Sequence, residues 1–125
     1  MKYLILIHQN RAARATRMTT PDDVQMAGLQ AYLTLNADLA ASGEFVSGEA
    51  LADDSTSTVL SLRSGSVVAT DGPFAESKEV LAGFYLVDVA SRERAIEIAA
   101  RIPDLTAGAG DVEIRPVMDY SAPDA

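Results

Sequence analysis

The chain has 125 residues, a formal net charge of −8, no cysteine and a single histidine. That length suits one domain with its own core, and the missing cysteines exclude a disulfide framework, a thiolate nucleophile and Cys-ligated zinc or iron–sulfur centres. One His cannot build a His-rich metal site, and the acidic balance opposes direct nucleic-acid binding; the chemistry expected below needs no metal and no organic cofactor.

In chain order, Lys2–His8 reads as a short strand whose two alternating sets, Tyr3/Ile5/Ile7 and Leu4/Leu6, are both apolar, so both its faces should be buried. The apolar run Tyr3–Ile7 is too short for a signal h-region or a membrane span, and the expected location is the cytoplasm. Residues 9–19 are polar, and their Arg11, Arg14 and Arg17 are expected on a solvated loop face. Thr20 as N-cap, Pro21 at the first helical position and the acidic Asp22 and Asp23 then open a long helix. Val24, Ala27, Ala31, Leu35 and Leu39, widened by Tyr32, mark its core face, and Ser42-Gly43 ends it.

Glu44–Glu49 reads as a second strand, and Ser57–Thr70 as an inserted hairpin turning at Arg63-Ser64-Gly65-Ser66. Val80–Asp88 is a third apolar strand. Ser91 caps a second helix, with Ala95, Ile96, Ala99 and Ile102 on one face and Pro103 ending it; Val112–Val117 is the last strand and 119–125 a flexible tail. Without the hairpin the order is strand–helix–strand–strand–helix–strand, the α+β split βαβ pattern of ferredoxin-like domains. Two helices cover only one sheet face, so the first strand's other apolar face calls for a second copy, and a homodimer is expected.

Between hairpin and third strand stands Asp71-Gly72-Pro73-Phe74-Ala75-Glu76-Ser77-Lys78-Glu79. Asp can accept hydrogen bonds from the backbone ahead of it, Gly72 is expected at positive φ, and Pro73 fixes φ, so Gly72 and Pro73 form a structural turn. The polar and aromatic residues behind it exceed what a connector needs. This segment resembles the signature of the DGPF branch of the YCII-related family, commonly DGPFAETKE, with Ser77 in place of Thr. The resemblance extends through Gly48-Glu49-Ala50-Leu51, Gly83-Phe84-Tyr85-Leu86, Ala99-Ala100-Arg101-Ile102-Pro103 and Val112-Glu113-Ile114-Arg115-Pro116-Val117. It implies a ferredoxin-like α+β fold pairing as a dimeric α/β barrel in a small bacterial protein, and, through relatives joined to sigma-factor domains, a transcription-related protein partner for a non-catalytic regulatory module. The wider family carries a His on its first helix and an Asp as a possible catalytic pair; the first helix here has no His, which leaves His8 as its substitute.

In this strand order the first strand lies between the third and fourth and antiparallel to both. Its C-terminal His8 should then meet Asp71, Glu76, Lys78 and Asp111, with Glu49 at the same edge. A His beside carboxylates suits a general base, so His8 and Asp71 are the catalytic candidates. Phe74, Glu76, Lys78, Tyr85 and Arg115 are the candidates for ligand contact, an Arg being suited to clamp a carboxylate. Phe84 and Tyr85 point to opposite faces, so only one can line a cleft. Glu113 shares a face with Arg115 on what reads as a solvated edge. No phosphate loop, nucleophile elbow or zinc-protease helix occurs. The chemistry expected is binding or conversion of a small polar metabolite.

Overall fold

The computed structural model describes residues 1–17, 21–73 and 78–120. Its main sheet runs β2-β5-β1-β6, built from β1 (Lys2–Asn10), β2 (Phe45–Ala50), β5 (Glu79–Asp88) and β6 (Gly110–Pro116). β1 is central and antiparallel to both β5 and β6, so the ferredoxin-like strand order expected from the sequence is the order found. A separate two-stranded sheet, β3 (Thr58–Arg63) with β4 (Ser66–Asp71), is the inserted hairpin, and Ser64 and Gly65 turn it at positive φ.

One face of the main sheet is closed by helices α2 (Asp22–Ser42), α3 (Arg92–Ala99) and the short α4 (Pro103–Thr106). Tyr3, Ile5 and Ile7 of β1 pack there with Tyr85 and Val87 of β5, Leu35 and Leu39 of α2, and Ala95, Ile98, Ala99 and Ile102 around α3. Burying a large aliphatic side chain of this kind contributes about 1.5–3 kcal/mol. Leu4 and Leu6 point to the opposite, open face and are only half-buried.

Several local expectations are corrected. The segment after β1 is a helix, α1 (Arg11–Arg17), and not a loop. It forms because Arg and Ala favour helix and Asn10 caps it, the Asn10 side chain accepting from the Ala12 backbone N–H at 2.9 Å. Thr20 lies outside the described residues; Pro21 occupies the N-cap position of α2, its carbonyl accepting from Val24 and Gln25. The stop at Gly43 is as expected, at φ 77°. On α2 only Leu35 and Leu39 of the expected core face are buried, while Val24, Ala27 and Ala31 are exposed, because the first half of the helix extends past the packed core. On α3 the buried set is Ala95, Ile98 and Ala99, joined by Ile102 before α4, with Ile96 exposed, since steps of three and four place Ile98 on the shared face and Ile96 off it. α3 ends at Ala99, before Pro103, and Pro103 begins α4 instead of ending α3. The end of the expected tail, 121–125, lies outside the described residues.

Gly72 is not in the left-handed region, and the Gly72–Pro73 bond is cis. The glycine is required by space instead. A Cβ there would stand 2.9 Å from Ser57 Cβ and 3.2 Å from its carbonyl oxygen, the oxygen that accepts the Gly72 N–H at 2.7 Å. Gly72→Ala should therefore cost roughly 1–3 kcal/mol by overpacking, read as a lower midpoint in urea unfolding; an unchanged midpoint would mean the hairpin base yields freely.

Arg94 of α3 grips Glu44 before β2 with two hydrogen bonds, Nε at 2.9 Å and Nη2 at 2.8 Å. This guanidinium holds the Glu44 carboxyl below its usual range, against a smaller opposing effect of burial. Because the folded-state value is depressed, the stabilisation is present above the unfolded value and is lost as pH falls through the folded one. Glu44→Gln should thus lower stability at pH 7 and flatten its further loss below about pH 4, measured by thermal melts across pH.

Candidate functional site

The open sheet face is written by the strand registers. Leu4 and Leu6 of β1 stand opposite Leu86 and Phe84 of β5 on one side and Arg115 and Glu113 of β6 on the other. Beyond Phe84, Ser47 and Glu49 of β2 continue the row. The floor is therefore apolar, made by Leu4, Leu6, Phe84 and Leu86, all half-buried, and the rim is charged. His8 lies on this face at the end of the floor, paired to Asp111 across β6 and to Leu81 across β5.

The β1–β5 register slips at the Ile7/His8 step, where Gly83 and Leu81 are the successive partners and Ala82 is the extra residue. A bulge of this kind bends the strand and re-aims the side chains beside it. On the other flank β6 comes unusually close: a Cβ on Gly110 would sit 1.9 Å from the His8 carbonyl oxygen. His8 is thus held between a bulge and a close backbone approach, with its side chain 30% exposed.

Its Nε2 lies 3.6 Å from Glu113 Oε1, and the other oxygen of the same carboxylate lies 3.9 Å from Arg115 Nε. Both separations exceed a direct hydrogen bond but keep the three side chains in one group. Arg14, Arg94 and Arg101 are each hydrogen-bonded to carboxylates, whereas Arg115 makes no hydrogen bond among the described residues and is 68% exposed. Its donors are available for an acidic group.

The other expected residues are placed as follows. Asp71 ends β4 opposite Thr58 and is exposed, and no hydrogen bond or ion pair joins it to His8 among the described residues. Phe74 and Glu76 lie outside the described residues. Lys78 is exposed directly before β5, its carbonyl accepting the Arg11 N–H at 2.8 Å. Tyr85 turns away from the open face into the helical side, where its hydroxyl donates to the Asn36 side-chain oxygen and its ring meets Phe45 edge-on at 6.2 Å. Burial raises the Tyr85 phenol above its usual value, and the nearby Asp104 charge adds to this. Phe84, its neighbour, is the aromatic on the open face. Glu113 is the residue that sequence reading missed as His8's carboxylate: alternation alone puts it on the His8 face, but its row opposite β1 requires the register.

Two further ion pairs tie the helical side together. Arg11 and Arg14 do not face solvent as a basic patch: Arg11 pairs with Asp54 and Arg14 with Asp53, both at the turn that leads into the hairpin. Arg14 also donates to Gln9, which donates to Asp104 at 2.6 Å, and the Tyr32 hydroxyl donates to the same carboxylate. The polar residues here are satisfied by one another, which suits a structural network.

Among the described residues no helix is long and apolar enough to cross a membrane, and no group of three or more His, Asp or Glu side chains is arranged to hold a metal ion. The fold is similar to that of the 5-chloro-2-hydroxyhydroquinone dehydrochlorinase TftG from Burkholderia phenoliruptrix AC1100, solved with 2,5-dihydroxybenzoquinone. The TM-score is 0.52 over 97% of each chain, at 15% identity. In sequence the chain is 28% identical over 120 residues to an uncharacterized protein of Rhizobium meliloti (strain 1021), covering 96% of this chain and 94% of that one. The profile of the YCII-related domain matches residues 1–121, and the chain belongs to that family.

Proposed function

We propose that this protein is a homodimer that binds a small, polar, ring-bearing metabolite at the His8 end of the open sheet face and moves a proton on it without a cofactor. The observation that carries this reading is the group His8–Glu113–Arg115 at the end of an apolar floor. His8 is the general base, Glu113 supplies the counter-charge to a ring that has taken a proton, and Arg115 holds an acidic group of the ligand. Lys78, at the entrance to β5, is a second cation for the same end. Asp71 serves the hairpin base in this reading. Phe84, nearest the His8 end of the floor, offers the apolar surface a planar ring needs, while Leu4, Leu6 and Leu86 are left for the second copy to cover; the dehydrochlorinase of similar fold, whose solved complex holds a dihydroxybenzoquinone, lends support to a ring-bearing ligand.

Homodimerisation follows from the half-buried apolar floor, which a second sheet would cover. Light scattering should give a mass near twice 13.2 kDa. Leu6→Asp should give monomer or aggregate, because an unpaired charge buried between sheets costs several kcal/mol; a wild-type monomer would defeat the pairing.

The site itself is tested with 2,5-dihydroxybenzoquinone and dihydroxybenzoates as probes, using calorimetry for binding and NMR for deuterium uptake at ring C–H positions. Arg115→Met should weaken binding about tenfold or more, since a charge-assisted contact is worth about 1.5–3 kcal/mol. His8→Gln should abolish exchange while leaving binding within a few-fold, and Glu113→Gln should slow exchange. If all three variants match the wild type, this end of the sheet is not the site.

A further inference from the structure

The hairpin and the long helix each expose an apolar surface that the fold does not use. In the hairpin, Leu60 stands opposite Ala69 and Leu62 opposite Val67, so these four share one face. Leu60, Leu62 and Val67 are 65%, 70% and 69% exposed. A detached two-stranded hairpin is marginal in water, and three aliphatic side chains on its bare face make it more so. On α2, Met26, Leu29, Leu33, Ala37 and Ala40 follow steps of three and four on the side opposite Leu35 and Leu39, and all are exposed; the first three are 63%, 53% and 51% so. This outer stripe makes α2 apolar on two sides.

Charge decides what can cover them. In a chain of net charge −8, residues 24–37 carry no charge at all and residues 55–70 carry only Arg63. Two acidic copies repel each other over most of their surface, and these two stretches are where that repulsion is least. The single Arg63 at the hairpin tip favours an acidic neighbour. A second copy of this chain therefore fits both surfaces.

We propose that the β3–β4 hairpin is an arm that lays its Leu60–Leu62–Val67 face on the Met26–Leu29–Leu33 stripe of α2 in a second copy. A two-fold pairing is reciprocal, so each copy gives one arm and receives one. At about 100 Å² of apolar surface per large aliphatic side chain, the six residues supply roughly 600 Å² per copy. Specific interfaces bury about 800 Å² on each side, which the flanking surface can complete. The arm contact uses neither the His8 residues nor the open sheet face, and in this proposal it joins the same two copies as the sheet pairing, so the expected assembly stays a dimer.

The native chain has no cysteine, which makes the test direct. Leu62→Cys and Leu33→Cys proteins, each checked for native circular dichroism, are mixed and mildly oxidised, and disulfide-linked dimer is followed on non-reducing gels. The mixture should link at least tenfold faster than a mixture of Leu62→Cys with Glu97→Cys, an exposed position on α3. Separately, Leu60→Ser with Leu62→Ser should raise the self-dissociation constant tenfold or more in analytical ultracentrifugation. Linking no faster than the Glu97→Cys control, or fastest between two Leu62→Cys chains, would overturn the arm-on-helix contact.

Discussion

Everything in this fold depends on β1 being apolar on both faces while bonded on both edges. Its edges are taken by β5 and β6, so it cannot be an edge strand, and its Tyr3, Ile5 and Ile7 set anchors the helical core. The remaining set, Leu4 and Leu6, has no helix to meet among the described residues. A sheet with one closed face and one half-buried apolar face is an incomplete layer structure. The proposed pairing of two copies completes it, and the charged residues of β6 lie along the margin of the surface so formed.

That arrangement explains why the proposed site falls where it does. Along β1 the open-face residues run Leu4, Leu6, His8, changing from apolar to titratable as the strand leaves the floor. The bulge at Ala82 and the close approach of Gly110 both act at that last position, so the backbone around His8 is shaped from two sides. Glu113 and Arg115, two residues apart on β6, then bring opposite charges to one face. The helical side carries as many polar groups, but there Gln9, Arg14, Tyr32 and Asp104 are bonded into one another and hold α1, α2 and α4 to the end of β1. Polar groups that satisfy each other stabilise a fold; Arg115, which makes no hydrogen bond among the described residues, keeps its donors for the ligand proposed here.

The signature segment is held at both of its described ends, 71–73 and 78–79. Its first residues are fixed to the hairpin base through Gly72 and Ser57, and Lys78, next to its last residue, is fixed to α1 through Arg11. Arg11 also pairs with Asp54, whose carbonyl accepts the Ser57 N–H. Both ends of the segment are therefore pinned to the same small region of backbone, which accounts for Gly72 by steric need and not by φ.

From sequence alone, the period-two run of β1, the Gly43 stop, the Ser64-Gly65 turn and the Ser91 cap were all readable, because each depends on residues within a few positions of one another. The strand order followed from the succession of elements, and with it the placing of His8 beside the start of β5 and of β6. What only the tertiary structure decided was which carboxylate stands at His8, which side Tyr85 takes, and what Arg11 and Arg14 do. Glu113 reaches His8 through the exact register of β6, Tyr85 is turned inward by the parity of β5 after the bulge, and Asp53 and Asp54 lie some forty positions from the arginines they bind. Local propensity determines where elements begin and end; contacts between residues distant in sequence are determined by register and packing, which no local pattern records.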